Sequence, residues 1–250
     1  RLLTDFTSEF ETVQAGYQGP LYAEISPRTF SIVVREGSTL NQVRFRRGTP
    51  AAADATMRRL QETEGLVNKN DGPIDIKNCV AISVDLSRNK ENNLVGYKAK
   101  QHTSLIDVDK IAACQINDYW DPVYKSSSKN NGLILNPDEF YILMSKEYVT
   151  VPLDYAAEMR AYDTKVGEFR VHYAGFFDPG FGHAESGGQG TRAVLEVRSH
   201  DVPFLIEDGQ TVCRLIYEQM TQIPEKIYGA GGVGSNYQGQ ALKLSKHFQS

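Results

Sequence analysis

Phe169-Arg170-Val171-His172-Tyr173-Ala174-Gly175-Phe176-Phe177-Asp178-Pro179-Gly180-Phe181, followed after a polar loop by Arg192-Ala193-Val194-Leu195-Glu196-Val197, decides how the rest of the chain is read. Apolar and polar side chains alternate from Phe169 to Phe177, the period-2 pattern of a half-buried strand. Asp178-Pro179-Gly180 then breaks it, because proline fixes φ and lacks a donor while glycine permits φ > 0. His183 to Thr191 has loop composition, rich in glycine and serine. Ala193 to Val197 predicts a second short strand with one carboxylate inside an apolar run. A glutamate among valine and leucine is costly unless something pairs with it or uses it.

With 250 residues the chain is long enough to bury a core in one or two domains. A net charge of −4 gives no polybasic face, so duplex nucleic acid is not expected as a partner. No run of about 18 apolar residues is present and no leader is visible, which predicts no membrane span and a soluble, cytoplasmic protein. Cys79, Cys114 and Cys213 are odd in number and far apart, unlike a disulfide framework or a Cys-x-x-Cys metal site.

Working outward, Gly19 to Ile25 reads as a strand carrying Glu24, Arg28 to Val34 as another, Arg35-Glu36-Gly37 as a turn, and Thr39 to Phe45 as an alternating strand. The C-terminal half repeats that order: Glu196, a strand over 202–206, the turn Glu207-Asp208-Gly209, and a strand over 211–217. Glu24 and Glu196 are 172 residues apart, as are Gly37 and Gly209. A strand–Glu–strand–Gly turn–strand order kept in register predicts an internal duplication. Its first copy, residues 1–48, is truncated; residues 49–74 are a helix and linker; residues 75–250 are the complete second copy. Thr49 as cap, Pro50 at the first helical position and Gly65 at the end predict a helix over 51–64. In the second copy, strands are expected over 80–87, 140–144 and 149–153, while 107–120 reads as either a short helix or a strand. Many short strands with few helices predict a mostly-β fold, a sandwich or barrel.

With these pieces in place, the second half resembles the dCTP deaminase / dUTPase superfamily. Phe177-Asp178-Pro179-Gly180-Phe181 and Val194-Leu195-Glu196 look like that family's Asp-Pro-Gly turn and strand-borne glutamate. Tyr228, Ser235-Asn236-Tyr237-Gln238-Gly239-Gln240 and Leu242 to Phe248 look like its nucleotide-closing tail. Ala156-Ala157-Glu158-Met159-Arg160 stands where the family carries Ser-Ser-x-x-Arg. The resemblance covers roughly residues 75–250, and the two-copy layout is similar to the tandem bacterial form of dCTP deaminase. It implies a jelly-roll-like β-barrel, a trimer with sites between subunits, and dCTP or dUTP as ligand. The chain departs from the pattern at Ala156 and Ala157, which replace the phosphate-binding serines, and at Asn236, which replaces a lysine. Either motifs from both copies combine in catalysis, or one copy is degenerate.

Deamination of cytosine needs water to attack C4, a proton for N3 and a proton for departing ammonia. One carboxyl group whose pKa is raised by apolar neighbours can carry all three protons. Glu196 fits that role, with its solvated edge-strand alternative still open, and Glu24 is a possible second site of the same pattern. Arg160 is a candidate clamp through its fork of donors, or a surface partner of Glu158 or Asp163. The resemblance assigns substrate contacts to Ala156, Ala157, Asp178, Val194, Leu195, Tyr228, Tyr237, Gln238, Gln240 and Lys243. The zinc deaminase signatures His-x-Glu and Pro-Cys-x-x-Cys do not occur, so no zinc is expected and magnesium is expected only with the triphosphate. Gly229-Ala230-Gly231-Gly232-Val233-Gly234 matches Gly-x-Gly-x-x-Gly, but no βαβ unit can follow it; a mobile lid is the better reading. The reaction expected is dCTP to dUTP and ammonia. The alternatives are dUTP pyrophosphatase activity, or an inert nucleotide-binding or assembly subunit. The strand glutamate after Asp-Pro-Gly favours deamination.

Overall fold

The glutamate-bearing strand lies in the larger of two sheets that pack on one core. The computed structural model describes residues 1–68, 73–77, 79–87, 93–125, 132–161, 169–171, 175–186, 189–199, 201–229 and 242–249. In chain order its elements are β1 (Leu2–Thr4), β2 (Leu21–Ala23), β3 (Ile32–Val33), α1 (Asp54–Glu64), β4 (Val67–Asn68), β5 (Val80–Ser83), β6 (Leu94–Ala99) and β7 (Ile106–Asp107). They continue with α2 (Ile116–Tyr119), β8 (Trp120–Tyr124), β9 (Gly132–Leu135), β10 (Phe140–Val149), β11 (Tyr155–Ala161) and β12 (Phe169–Val171). The last are β13 (Phe176–Phe177), β14 (Thr191–Ser199), β15 (Phe204–Glu207) and β16 (Thr211–Gln219). Among the described residues, no helix is long and apolar enough to cross a membrane.

The fold is mostly β, as the periodicity predicts. One sheet runs β12-β14-β10-β6-β8, with β4 also pairing β10, and the other runs β13-β11-β16-β5. Their facing sides share one core: Ala193, Leu195 and Val197 of β14 and Leu143 of β10 meet Ile82 of β5, Ala157 and Met159 of β11 and Leu215 and Tyr217 of β16. Tyr217, wholly buried, donates its hydroxyl to the carbonyl of Thr150 at 3.0 Å, so its polar tip costs little. The stretch from Phe169 to Phe177 does not form one continuous strand. Its described ends pair in different sheets, β12 with β14 and β13 with β11, and residues 172–174 lie outside the described residues.

Three other boundaries move for physical reasons. The helix starts at Asp54 rather than Ala51, because residues 50–52 run beside β16: the Ala52 N–H donates to Tyr217 at 2.8 Å and the Gln219 N–H to Pro50 at 3.1 Å. It ends at Gly65, whose φ of 65° is the left-handed conformation that glycine accepts without strain. Second, the strand read at 140–144 runs on to Val149 as β10, with its register interrupted between Met144 and Tyr148, and the strand read at 149–153 does not form, since residues 150–154 lead by a turn into β11. The carboxylate of Glu147 turns inward there and accepts from the Ser83 N–H (2.8 Å) and hydroxyl (2.7 Å). Third, the 107–120 stretch is both readings in turn: β7, then α2, then directly β8.

Among the described residues, the strands of residues 1–48 pair differently from those of the C-terminal counterpart. β2 pairs only with β1, β3 pairs in parallel with β7, and no strand forms over 39–45, where Val43 and Phe45 are 64% and 94% exposed. β16, the counterpart of that stretch, is held between β11 and β5. Without flanking strands, alternation alone does not make a strand. The segment is instead fastened by side chains. Arg44 and Arg46 bind Glu218 at 2.9 and 3.0 Å, Arg46 also reaches Glu158, and Arg35 forks onto Asp107 at 2.8 and 3.0 Å.

The loop after β13 is folded back by backbone bonds. The Gly180 N–H donates to the Val151 carbonyl at 3.1 Å, the Val151 N–H to Phe181 at 2.8 Å and the Gly190 N–H to Gly182 at 2.8 Å. Gly182 has φ of +67°, and a Cβ there would lie 2.2 Å from the Val149 carbonyl oxygen and 2.8 Å from the Thr191 nitrogen. Gly182→Ala is therefore expected to destabilise the fold by roughly 3 kcal/mol or more, read as a fall in urea midpoint at constant slope. A loss below about 1 kcal/mol would show that the loop relaxes without disturbing β14.

Candidate active site

Because side chains alternate along a strand, the residues of β14 that do not enter the core all face the same way. Arg192, Val194, Glu196 and Arg198 line one cleft of about 920 Å³ on the outer side of the larger sheet. Across the β10 register Ile142 stands opposite Glu196 and Phe140 opposite Arg198. The far wall is an aromatic group: Trp120 packs against Phe140 (6.0 Å between centroids), Phe30 (5.2 Å) and Phe248 (5.7 Å). From β14 to β8 is three inter-strand steps, so the cleft floor is about 14 Å across.

The turn after β13 closes the other end. Phe177 packs edge-on against Phe181 at 4.9 Å, Phe181 tilts against Tyr228 at 5.5 Å, and the Tyr228 N–H donates to the Pro179 carbonyl at 2.9 Å. Asp178 lies in this wall with its carboxyl above the usual range, because burial penalises its charge more than Arg44 favours it. Lys243, Leu244, Ser245, His247 and Phe248 bring the C-terminal segment onto the cleft. Phe248 is pinned there, since the Gln249 N–H donates to Cys114 at 2.9 Å and the Cys114 N–H to His247 at 2.9 Å.

Glu196 is the chemically distinctive group. Burial pushes its carboxyl up from 4.5 to about 7, so at neutral pH it exists as acid and base in comparable amounts. That is the poise a group needs if it is to take a proton and give it back.

The structure therefore brings Glu196, Asp178, Val194, Tyr228 and Lys243 together in one cleft. It does not bring the other candidates there. Leu195 is fully buried in the core between the sheets, on the opposite face of β14 from Glu196. Ala156 and Ala157 are buried on β11 opposite Glu218 and Tyr217, and Arg160 is exposed opposite Arg214; none of the three lines the cleft. Glu24 is exposed and held below the usual carboxylate range by a hydrogen bond from Arg1, the opposite environment to that of Glu196. Tyr237, Gln238 and Gln240 lie outside the described residues. Among the described residues no three His, Cys, Asp or Glu side chains converge as a metal site. Sequence reading missed Arg198, Arg192, Phe30 and Trp120. The two arginines were visible in principle, as they share the period-2 face of Glu196; Phe30 and Trp120 arrive by tertiary packing alone.

A sandwich whose outer face carries a desolvated carboxyl group beside an Asp-Pro-Gly turn is a ligand-binding β fold with acid–base capacity. The chain matches the 2'-deoxycytidine 5'-triphosphate deaminase C-terminal domain over residues 53–248 and the N-terminal domain of the same family over residues 1–49. It belongs to the 2'-deoxycytidine 5'-triphosphate deaminase family. It is similar to the crystal structure of 2'-deoxycytidine 5'-triphosphate deaminase from Agrobacterium tumefaciens, with 54% identity and a TM-score of 0.84, over 94% of this chain and 66% of that one. Among curated relatives, the "dCTP deaminase, dUMP-forming" of Beutenbergia cavernae is 31% identical over 114 residues, and that of Methanobrevibacter smithii 34% identical over 115. These alignments take in 44% and 45% of this chain and 55% of each relative, so the chain spans about half the length of the curated relatives it matches.

The raised pKa of Glu196 has a stability signature. Between pH 4.5 and about 7 the folded state keeps a proton that the unfolded state has released, so this group's contribution falls as pH rises through that window. At about 1.4 kcal/mol per unit, the cost at pH 8 is on the order of 3 kcal/mol. Glu196→Gln removes the charge, and is expected to raise urea stability at pH 8 by on the order of 2–3 kcal/mol while changing it little at pH 4. An equal change at both pH values would mean that the carboxyl group is not desolvated.

Proposed function

We propose that the chain deaminates dCTP to dUTP and ammonia, with Glu196 carrying protons. The carboxylate takes a proton from water as the oxygen adds to C4 and passes it to N3. It then takes the second proton from the added hydroxyl and delivers it to the departing amine. Water and dCTP become dUTP and ammonia, and Glu196 ends in the state in which it began. The observation that carries this reading is the position of Glu196: it stands on the cleft face of β14 opposite Ile142, where burial raises its carboxyl to about 7.

Within that reading Asp178 accepts the deoxyribose 3′-hydroxyl, the Val194 backbone flanks the base, and Tyr228 closes one side. Lys243 faces the phosphates, and Tyr237, Gln238 and Gln240 belong to the same closing tail. Magnesium would accompany the triphosphate of the substrate, offsetting its charge. Ala156, Ala157 and Arg160 lie away from the Glu196 cleft, which supports a homo-oligomeric site, threefold by the family resemblance, in which the phosphate end comes from another copy. The protein would work in the cytoplasm, where deoxynucleotides are made.

Incubation of the protein with dCTP is expected to yield ammonia and a uracil nucleotide with its triphosphate intact. Release of pyrophosphate together with dUMP would replace this reading with the coupled reaction in the curated relatives' names. Glu196→Gln is expected to lower turnover at least 1,000-fold, on the order of the loss when a proton-transfer group is removed, with nucleotide affinity retained. Turnover within tenfold of the parent would remove Glu196 from the mechanism. Phe248→Ala, which unpins the tail, is expected to raise KM for dCTP several-fold more than it lowers kcat.

A further inference from the structure

Arg198 lies two residues beyond Glu196 on the same face of β14, about 7 Å along the strand. It is 7% exposed, an unusual position for a guanidinium. Its fork reaches two segments that are remote in sequence. One nitrogen, Nη1, donates to the Asp138 carbonyl at 2.7 Å, while Nη2 donates to the Thr29 hydroxyl at 2.9 Å and the Arg28 carbonyl at 3.4 Å. The guanidinium lies 5.4 Å from the Phe140 ring centroid, against the floor of the cleft. The next residue of the fastened segment, Phe30, inserts edge-on between Tyr119 (5.5 Å), Trp120 (5.2 Å) and Phe248 (6.2 Å).

We propose that Arg198 is a positioning residue that fastens residues 28–30 of the N-terminal segment across the cleft and thereby keeps water away from Glu196. The proposal rests on the reading of that cleft as the deamination site. Planarity matters, because a single ammonium cannot address acceptors on two segments in the directions a guanidinium fork supplies. The charged or titratable groups that share the cleft with Glu196 are Arg192 and Arg198 on its own strand, Asp178 after β13, Arg28 from the roof, Tyr228, and Lys243 and His247 from the C-terminal segment. Burial is what raises the Glu196 carboxyl, so uncovering the cleft acts on it directly.

The test uses the full chain and the variants Arg198→Gln, Arg198→Lys and Thr29→Val. Trp120 is the chain's single tryptophan and is 4% exposed, so acrylamide quenching of its fluorescence reports whether Phe30 still covers it, with no need for activity. In Arg198→Gln and Arg198→Lys, quenching is expected to rise several-fold, and the acid limb of kcat/KM for dCTP to move about one pH unit lower, a tenfold change in the ionised fraction on that limb. Thr29→Val, which leaves the arginine in place, is expected to move both readouts in the same direction by less. Folded Arg198→Gln protein with parental quenching and an unmoved acid limb overturns the proposal. Should Arg198→Gln not fold, Thr29→Val decides on the same two measurements, with no change in either overturning it. A parent protein that does not turn over dCTP defeats the deaminase reading alone; Trp120 quenching then still judges the clamp.

Discussion

A carboxyl group can be kept from water on a β-strand only when both faces of that strand are covered, and β14 meets this condition with one alternating sequence. Ala193, Leu195 and Val197 supply the core side, while Arg192, Val194, Glu196 and Arg198 supply the cleft side. A shift of one residue would send Glu196 into the core and Leu195 into the cleft. The core therefore sets the register that the cleft requires. The tight Gly182 loop before β14 and the Glu147 bulge of β10 beside it serve the same requirement, because each absorbs an irregularity that would otherwise move the glutamate.

The cover on the cleft side is assembled differently from the core. It consists of chain segments with little regular structure, 27–32 and 242–249, held by an arginine fork and by edge-to-face aromatic contacts. Such contacts are each worth of the order of 1 kcal/mol, far less than the buried sheet interface, so opening the cleft need not disturb the sandwich. The second apolar cluster, with Ile106, Tyr119, Trp120, Leu244 and Phe248, is where these segments meet.

Much of this was legible in the residues, and the misses have common causes. β14 and β16 follow from period-2 alternation, and the anomaly of Glu196 follows from hydropathy alone. The 39–45 stretch has the same alternation and forms no strand, because pattern describes what a strand would bury and not whether a neighbour exists to pair with it. Glu147 hid the continuity of β10, since a charged residue inside a strand reads as a break until Ser83 is seen to satisfy it. Parity sends the Leu195 side chain to the core, because the side chains of adjacent strand residues cannot both face one cleft. Arg160 and the two alanines were carried by motif order, which does not specify which side of a sandwich a strand faces.

Phe30 and Phe248 touch although both sheets of the sandwich lie between them in sequence. Contacts between such distant positions carry the largest loop-closure entropy in the molecule and form after local pairings. The sheets can pair before this contact exists, yet the aromatic cluster cannot close until Phe248 meets Phe30. Wherever the sandwich is formed and this cluster is open, Glu196 lies in a wet groove and its carboxyl loses the burial that raises it.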